Sequence, residues 1–131
     1  MKIEDPQNLR RTVYAHISRL ELDGFLMQFD YPDANVHAAR RAQTTTPTQK
    51  LFLLNSPFVL GRCEKIASGL ADASADDGIE QLYRMFVSRP PSAYERQLSR
   101  AFLDAGDGLD ESRWARLAQV LLCSNAFQYR D

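Results

Sequence analysis

The sequence predicts an all-α fold, a bundle of about six helices with one long ordered N-terminal loop. Three observations lead to this prediction. Apolar residues recur at helical spacing in several segments, Pro and capping residues mark helix starts, and no segment alternates strictly enough to be a strand. With 131 residues and a mass of 14.9 kDa, the chain is long enough to bury a core, and we expect one domain over residues 1–131.

The first helix is predicted over residues 6–20, because Asp5-Pro6 supplies an N-cap and a proline at the first helical position. Its apolar stripe consists of Leu9, Val13, Ile17 and Leu20. Residues 23–45 contain turn-forming residues but also many apolar ones, including Phe25, Phe29 and Tyr31. A solvated linker does not carry so many aromatic side chains, so we expect an irregular segment that packs against the helices.

The second helix is predicted over residues 47–54. Thr46-Pro47-Thr48-Gln49 has the form of a capping box, and Leu51-Phe52-Leu53-Leu54 makes the helix apolar nearly all round, which is typical of a buried helix. Ser56-Pro57 then starts a third helix that extends to about residue 72. Its inward stripe is Val59, Cys63, Ile66 and Leu70.

Three further helices complete the predicted bundle. Asp77 is expected to cap the fourth, which ends at Arg89-Pro90-Pro91, and Ser92 with Glu95 forms the capping box of the fifth. Gly106 ends the fifth helix, Asp110 starts the last, and residues 124–127 break it before one further turn. The predicted buried faces are Ile79, Leu82, Tyr83, Phe86 and Val87 in the fourth helix, Tyr94, Leu98, Ala101, Phe102 and Ala105 in the fifth, and Trp114, Leu117, Ala118, Leu121 and Leu122 in the last.

Composition excludes several classes of protein. Sixteen Lys and Arg against 17 Asp and Glu give a net charge of -1, which argues against a nucleic-acid-binding protein. No apolar run approaches the roughly 20 residues of a membrane span, and the first residues are too polar for a signal peptide. If the protein is exported, its signal lies upstream of this chain. Cys63 and Cys123 are expected to be small buried hydrophobic residues, with a disulfide only if their helices pack together in an oxidising compartment.

A candidate anion-binding site lies at the start of the helix predicted over residues 47–54. Its residues are Arg40, Arg41, Thr44, Thr45, Thr46 and Gln49. Donors at a helix N-terminus with two guanidinium groups nearby suit a sulfate, phosphate or carboxylate. The favoured alternative is that the two arginines pair with Asp30 and Asp33 and hold the loop against the bundle.

Asp30, Asp33 and His37 lie within eight residues and are candidate ligands of a divalent metal. Turn chemistry explains both aspartates without an ion, so the sequence predicts no metal. The cysteines lie on apolar stripes, no serine has the sequence context of a nucleophile elbow, and Gly-rich phosphate loops and haem attachment sequences are absent. We therefore expect no catalytic residue and no cofactor, and the interpretation leans against an enzyme.

An ordered set of motifs carries a family resemblance. The motifs are Arg11-Thr12-Val13-Tyr14, residues 27–33 and 40–49, Leu53-Leu54-Asn55-Ser56-Pro57-Phe58-Val59, residues 89–95 and residues 121–127. The chain resembles the C-terminal half of the planctomycete domain of unknown function 1553. It departs from that family in lacking the longer N-terminal part and in having Lys50-Leu51 where Ala-Leu is usual. The resemblance implies a place in a large exported protein, beside c-type haem or carbohydrate-binding-like domains, and implies no reaction.

The function predicted from the sequence is a non-catalytic helical interaction module of a larger exported planctomycete-type protein, in the periplasm or outside the cell. Its expected partner is the N-terminal half of its own domain, a neighbouring domain or a second copy of the chain. The alternative is binding or processing of an anionic polysaccharide, sulfated or uronic, by Arg40 and Arg41, with His37 or Asp33 transferring a proton. Nucleic acid is not an expected partner.

Overall fold

The computed structural model of the chain describes residues 3, 8, 10–18, 20–33, 35–40, 44–105 and 111–129. Over these residues all regular structure is helical and no strand occurs, which confirms the all-α prediction. A 3-10 turn at Thr12–Tyr14 precedes the α-helices. These are α1 (Gly24–Gln28), α2 (Pro47–Asn55), α3 (Pro57–Ser68), α4 (Ala75–Val87), α5 (Ala93–Asp104), α6 (Glu111–Cys123) and α7 (Asn125–Gln128).

The chain divides into two compact units, Met1–Phe52 and Leu53–Asp131. In the first unit the rings of Phe25, Phe29 and Phe52 form a cluster with centroids 5.2 to 5.6 Å apart. The packing expected of the aromatic residues in the segment 23–45 is therefore confirmed for Phe25 and Phe29, whose rings contact that of Phe52 in α2. That segment also contains a helix, α1, which the sequence analysis missed. The carboxylate of Asp23 caps it by accepting the N–H of Phe25 at 3.0 Å.

The helix predicted over residues 6–20 is wrong where the structure describes it, because only Thr12–Tyr14 has helical backbone there, as a 3-10 turn. Side chains compete for the backbone donors. Asn8 accepts the N–H of Arg10, and the Ser18 hydroxyl accepts the N–H groups of Leu20 and Glu21. Residues 12–18 also include two β-branched aliphatics and other weak helix formers. The expected Asp5-Pro6 cap lies outside the described residues.

The core of the second unit is built between helices. α3 packs against α6, α4 packs against α5 and α6, and α7 packs against α6 and α4. Its buried apolar side chains are Val59, Cys63, Ala67, Leu70, Ile79, Leu82, Tyr83, Leu103, Trp114, Leu117, Ala118 and Leu121. The predicted inward faces of the fourth and last helices supply most of this core, with Phe86, Val87 and Leu122 half-buried. Cys63 and Cys123 form no disulfide, and Cys63 is buried while Cys123 is half-buried.

Two predicted helix boundaries and one predicted capping interaction need correction. The N-cap of α4 is Ser74 rather than Asp77, since the Ser74 hydroxyl accepts the N–H of Asp77 and donates to its carboxylate at 2.6 Å. α3 ends at Ser68, before the predicted limit near residue 72. Ser56 occupies the N-cap position of α3 as expected, but its side chain makes no capping hydrogen bond. The expected boundaries at Gly106 and Asp110 lie outside the described residues. Of the break predicted over residues 124–127, only Ser124 interrupts the helix, because residues 125–127 already belong to the further turn, α7.

α2 is not the buried helix that its apolar sequence predicts. Leu51 and Leu54 are both more than half exposed, and Gln49 is its one buried residue among those described. The side chain of Gln49 is buried because it has hydrogen-bond partners on the chain before α2. The apolar run of residues 51–54 therefore leaves the side chains of Leu51 and Leu54 exposed to solvent.

The buried face of α5 was also predicted wrongly. Ser99 and Leu103 face the core, whereas Tyr94, Leu98 and Phe102 are exposed, with Ala101 and Ala105. Arginines on the inner edge of α5 pair with acidic residues of α4, and these contacts set the rotation of the helix about its axis.

Candidate functional site

The capping box that the sequence predicts at the start of α2 is present. The Thr46 N–H donates to Oε1 of Gln49 at 3.1 Å, and the Gln49 N–H donates to the Thr46 hydroxyl at 3.3 Å. The Gln49 amide nitrogen also donates to the carbonyl of Gln28 at 2.9 Å. Thr46 and Gln49 thus link the loop after α1 to the start of α2, which is a structural role.

Asp30 joins the same arrangement. Its backbone is left-handed, with φ of 56°, a conformation that aspartate tolerates better than most residues. Its carboxylate accepts the N–H of Thr44 at 2.7 Å and the Thr44 hydroxyl at 2.8 Å. A carboxylate from the chain itself therefore occupies a donor position just before α2 that an external anion would need.

Asp33, His37 and Arg40 take no part in the hydrogen bonds just described. Asp33 accepts the N–H of Asn35 at 2.8 Å, the turn chemistry expected for it. His37, Arg40 and Thr45 are exposed. No ion pair of the described residues includes Arg40, so its expected pairing with Asp30 or Asp33 is not formed. Arg41 lies outside the described residues.

The apolar side chains on the outward side of α5 form a second candidate site. Tyr94, Leu98 and Phe102 follow one another at four-residue spacing and are 69%, 53% and 39% exposed. We call these three side chains the outer stripe. At its C-terminal end, the Arg113 guanidinium donates to the carbonyl of Phe102 at 2.8 Å, which connects the last turn of α5 to α6.

Ion pairs on the inner edge of α5 fix which side of the helix faces outward. Arg100 contacts the carboxylate of Asp76 at 2.8 Å, and Arg96 contacts Glu80 at 3.4 Å. Glu80 also pairs with Arg84 at 2.8 Å, and hydrogen bonds from Arg84 and then Arg96 lower the pKa of Glu80. The acidic partners of Arg96 and Arg100 are on α4. Turning α5 about its axis to bury the outer stripe would therefore separate the two arginines from these carboxylates.

The corner between α4 and α5 is closed by a bidentate ion pair. The two terminal nitrogens of the Arg89 guanidinium, Nη1 and Nη2, each donate to the Glu95 carboxylate at 2.7 Å, and Glu95 accepts the Ser92 N–H at 2.7 Å. The hydrogen bond from Arg89, with those from Ser92, lowers the pKa of Glu95 to about 2. The capping box predicted at Ser92 is confirmed, and it orients the first turn of α5, where Tyr94 lies.

Sequence reasoning identified Tyr94, Leu98 and Phe102 as apolar but assigned them to the core. A signal for the correct orientation was available. Asp76 and Glu80 are four residues apart on α4, and Arg96 and Arg100 are four residues apart on α5, which is the spacing for pairing two helix edges.

The described residues form neither a metal site nor a membrane-spanning helix. No group of three or more His, Cys, Asp or Glu side chains there is arranged to hold a metal ion, and Asp30, Asp33 and His37 do not converge into one. Within the same residues, no helix has the length and apolar character needed to cross a bilayer.

Comparison with known proteins places the chain in a family. The family model described as PSD1, protein of unknown function (DUF1553), matches residues 2–103, which is most of the chain. No curated protein and no solved structure matches it. The matched segment includes α1 to α4 and nearly all of α5, and so contains both candidate sites. The chain belongs to the DUF1553 family of proteins of unknown function.

Proposed function

We propose that this chain is a non-catalytic helical docking module, whose α5 binds an apolar helix face of a neighbouring domain. One observation carries the proposal: Tyr94, Leu98 and Phe102 lie on the outward side of a helix whose inner side is already packed and paired. Exposed apolar side chains that are adjacent to one another on a helix often mark a surface that binds another protein.

The chemistry of the stripe indicates the kind of partner. Three large side chains at four-residue spacing extend over two helical turns, the spacing that an amphipathic partner helix presents on its own apolar face. Tyrosine and phenylalanine are enriched at the centres of protein interfaces, because they bury a large area with few rotatable bonds. An amphipathic helix of another domain in the same polypeptide is therefore the occupant we propose.

The wider setting is part of the same proposal. The family resemblance implies a larger exported protein, in the periplasm or outside the cell, that contains the rest of this domain and its neighbours. Fractionating source cells and blotting with an antibody to this chain tests both points. A band much heavier than 14.9 kDa in the exported fraction agrees with the proposal, and a 14.9 kDa band in the cytoplasm contradicts it.

The docking surface is tested by changing its central residue. In Leu98→Asp the outer stripe carries a charge, so we expect the purified protein to bind much less of a polarity-sensitive hydrophobic dye. Gln97→Asp is the matched control, because Gln97 is exposed on the same helix but lies about 100° away from Leu98 around the axis. We expect this control to bind as much dye as the unchanged protein.

Sedimentation of the same three proteins distinguishes the possible occupants. The proposal predicts that the unchanged chain is a monomer that binds dye. A monomer that binds no dye contradicts it. A dimer that Leu98→Asp dissociates also contradicts it, since a second copy would then be the occupant of the stripe.

An anionic polysaccharide is the second candidate ligand. One observation favours it: Arg40 is exposed and takes no part in the ion pairs of the described residues. It has less support than docking, because Asp30 already accepts the Thr44 N–H beside the start of α2. Binding of a sulfated glycan that is lost in the Arg40→Ala, Arg41→Ala double variant would support it. If no sulfated glycan binds, or if the double variant binds it as well as the unchanged chain does, the polysaccharide proposal is wrong.

A further inference from the structure

A groove between α3 and α6 lies apart from the surfaces considered so far. Its volume is about 600 Å³, within the roughly 300–1,000 Å³ typical of small-molecule sites. Leu60 and Cys63 on α3 and Ala115 on α6 give it an apolar floor. Gln119, also in the lining, donates to the carbonyl of Leu54 at 2.8 Å, which fixes the later turns of α6 beside the chain just before α3.

Charged side chains of both signs stand at the rim of this groove. Glu64 comes from α3, and Glu111 and Arg116 come from α6. All three are exposed, and none of them takes part in an ion pair of the described residues. Because the guanidinium and the carboxylates do not neutralise one another, both charges are available to a ligand.

The thiol in the floor of the groove contributes packing rather than chemistry. Cys63 is 1% exposed, and its burial, followed by the nearby Cys123 and Glu64, raises its pKa to about 11. A thiol with that pKa is protonated at neutral pH and is a poor nucleophile. The groove therefore has the character of a binding site with an apolar base.

We propose that this groove binds a small zwitterion with an apolar body, the chemistry of a short apolar peptide with free termini. The ammonium group is bound by the carboxylates of Glu64 and Glu111, and the carboxylate by the guanidinium of Arg116. The apolar body covers Leu60 and Ala115. A ligand with a single charge would leave either the two carboxylates or the guanidinium without an oppositely charged partner. This inference uses α3 and α6 and does not depend on docking through α5.

The dipeptide leucyl-leucine is the probe for this proposal, and its N-acetylated, C-amidated form is the matched probe without either charge. Both are titrated into the full chain and followed by backbone amide NMR. We expect saturable shifts of amides in α3 and α6 with leucyl-leucine and at least about tenfold weaker binding of the blocked dipeptide. Saturable shifts confined to other elements, no saturable shift in the millimolar range, or equal affinity of the two probes would overturn the proposal.

Variants of the charged rim residues test whether each one contributes to binding of leucyl-leucine. Glu111→Gln and Arg116→Gln alter exposed positions, so both should fold, which circular dichroism checks. Each is expected to weaken leucyl-leucine binding by about fivefold or more, the loss of one charge-assisted hydrogen bond in part-solvated surroundings. Glu21→Gln is the matched control, since Glu21 is exposed and is not in the groove lining, and it should bind as the unchanged chain does. Binding that neither rim change weakens, or that the control weakens equally, contradicts the assignment.

Discussion

Gly78 lies under the indole ring of Trp114, where α4 crosses α6. A Cβ atom built on Gly78 would be 2.5 Å from Cη2 of Trp114, closer than packed carbon atoms approach. Trp114 is 1% exposed and is among the largest side chains buried in the core of the second unit. The absence of a side chain at this position therefore permits the close approach of the two helices.

Substituting Gly78 tests that contact. We expect Gly78→Ala to lower the free energy of unfolding by about 1–3 kcal/mol, because the ring of Trp114 has to move within a packed core. Urea denaturation followed by circular dichroism measures the change. Gly61→Ala is the matched control in the middle of α3, where a Cβ would meet nothing within 4 Å. It should be neutral or stabilising by about 0.5–1 kcal/mol, and equal losses in the two variants would contradict the close approach.

Glu95 makes stability depend on pH. Its pKa is lowered to about 2, first by the hydrogen bond from Arg89, so its ionised form is favoured in the folded state. The resulting stabilisation is complete above the ordinary carboxyl pKa near 4.5 and is lost as the pH falls towards 2. This sign follows from a folded-state pKa below the unfolded one.

We therefore expect Glu95→Gln to cost about 1 kcal/mol at pH 7, the usual size for a capping interaction together with a part-exposed ion pair. At pH 2.5 the difference between the variant and the unchanged chain should be smaller. Urea denaturation at the two values measures it. A difference that stays constant with pH would show that the Arg89–Glu95 pair does not stabilise the fold.

At the scale of elements, the orientation of α5 decides whether the protein has a docking surface. Leu103 is 0% exposed, whereas Leu98, which is five residues earlier and so about 140° away around the helix axis, is more than half exposed. We expect Leu103→Ala to lower the free energy of unfolding by about 2–5 kcal/mol, because it opens a cavity in the core. Leu98→Ala should change it by no more than about 0.5 kcal/mol. Urea denaturation measures both changes in the free energy of unfolding. If Leu98→Ala loses more than Leu103→Ala, Leu98 is the buried residue, as the sequence predicted, and this orientation of α5 is wrong.

The elements differ in how far the sequence determines them. Capping boxes at Thr46 and Ser92 were predicted correctly, because a hydroxyl and a carboxylate or amide three residues apart satisfy backbone donors locally. The N-cap of α4 was missed because Ser74 and Asp77 are both capping residue types at that spacing. Local chemistry thus placed the starts of α2, α3, α4 and α5 to within one turn.

Sequence periodicity was less reliable for deciding what is buried. The stripe at residues 9–20 has helical spacing, yet Leu20 is 99% exposed. Backbone N–H groups there donate to the side chains of Asn8 and Ser18 instead of to helical carbonyls. In α5 the larger apolar residues face outward, since pairing with α4 and burial of Leu103 fix the other side inward. Such choices depend on contacts between residues far apart in the chain, which a local pattern does not contain.

In the candidate sites too, local contacts could be predicted from the sequence and contacts between distant residues could not. Thr46 and Gln49 were placed correctly at the start of α2, but their hydrogen bonds serve the fold itself. The bond between Asp30 and Thr44 joins residues 14 positions apart and could not be predicted from spacing. The groove between α3 and α6 requires the packing of two distant helices and left no signal in the sequence.

At the scale of the whole molecule, the second unit contains its own core. The buried residues of α3, α4, α5 and α6 all lie within Leu53–Asp131. We expect a fragment of residues 53–131 to unfold cooperatively in urea. Trp114 is the only tryptophan of the chain, so its fluorescence reports on this core. An emission maximum already at the unfolded position without urea would contradict a self-contained unit.

The most direct test of docking through α5 is photo-crosslinking in the source cells. A benzoylphenylalanine at position 98 is activated by light, and the product is identified by peptide mass spectrometry, with position 97 as the control. The account predicts a crosslink from position 98, and much less from position 97, to an amphipathic helix of another domain. A crosslink to residues 1–52 of the same chain, to a second copy, or to nothing would contradict it.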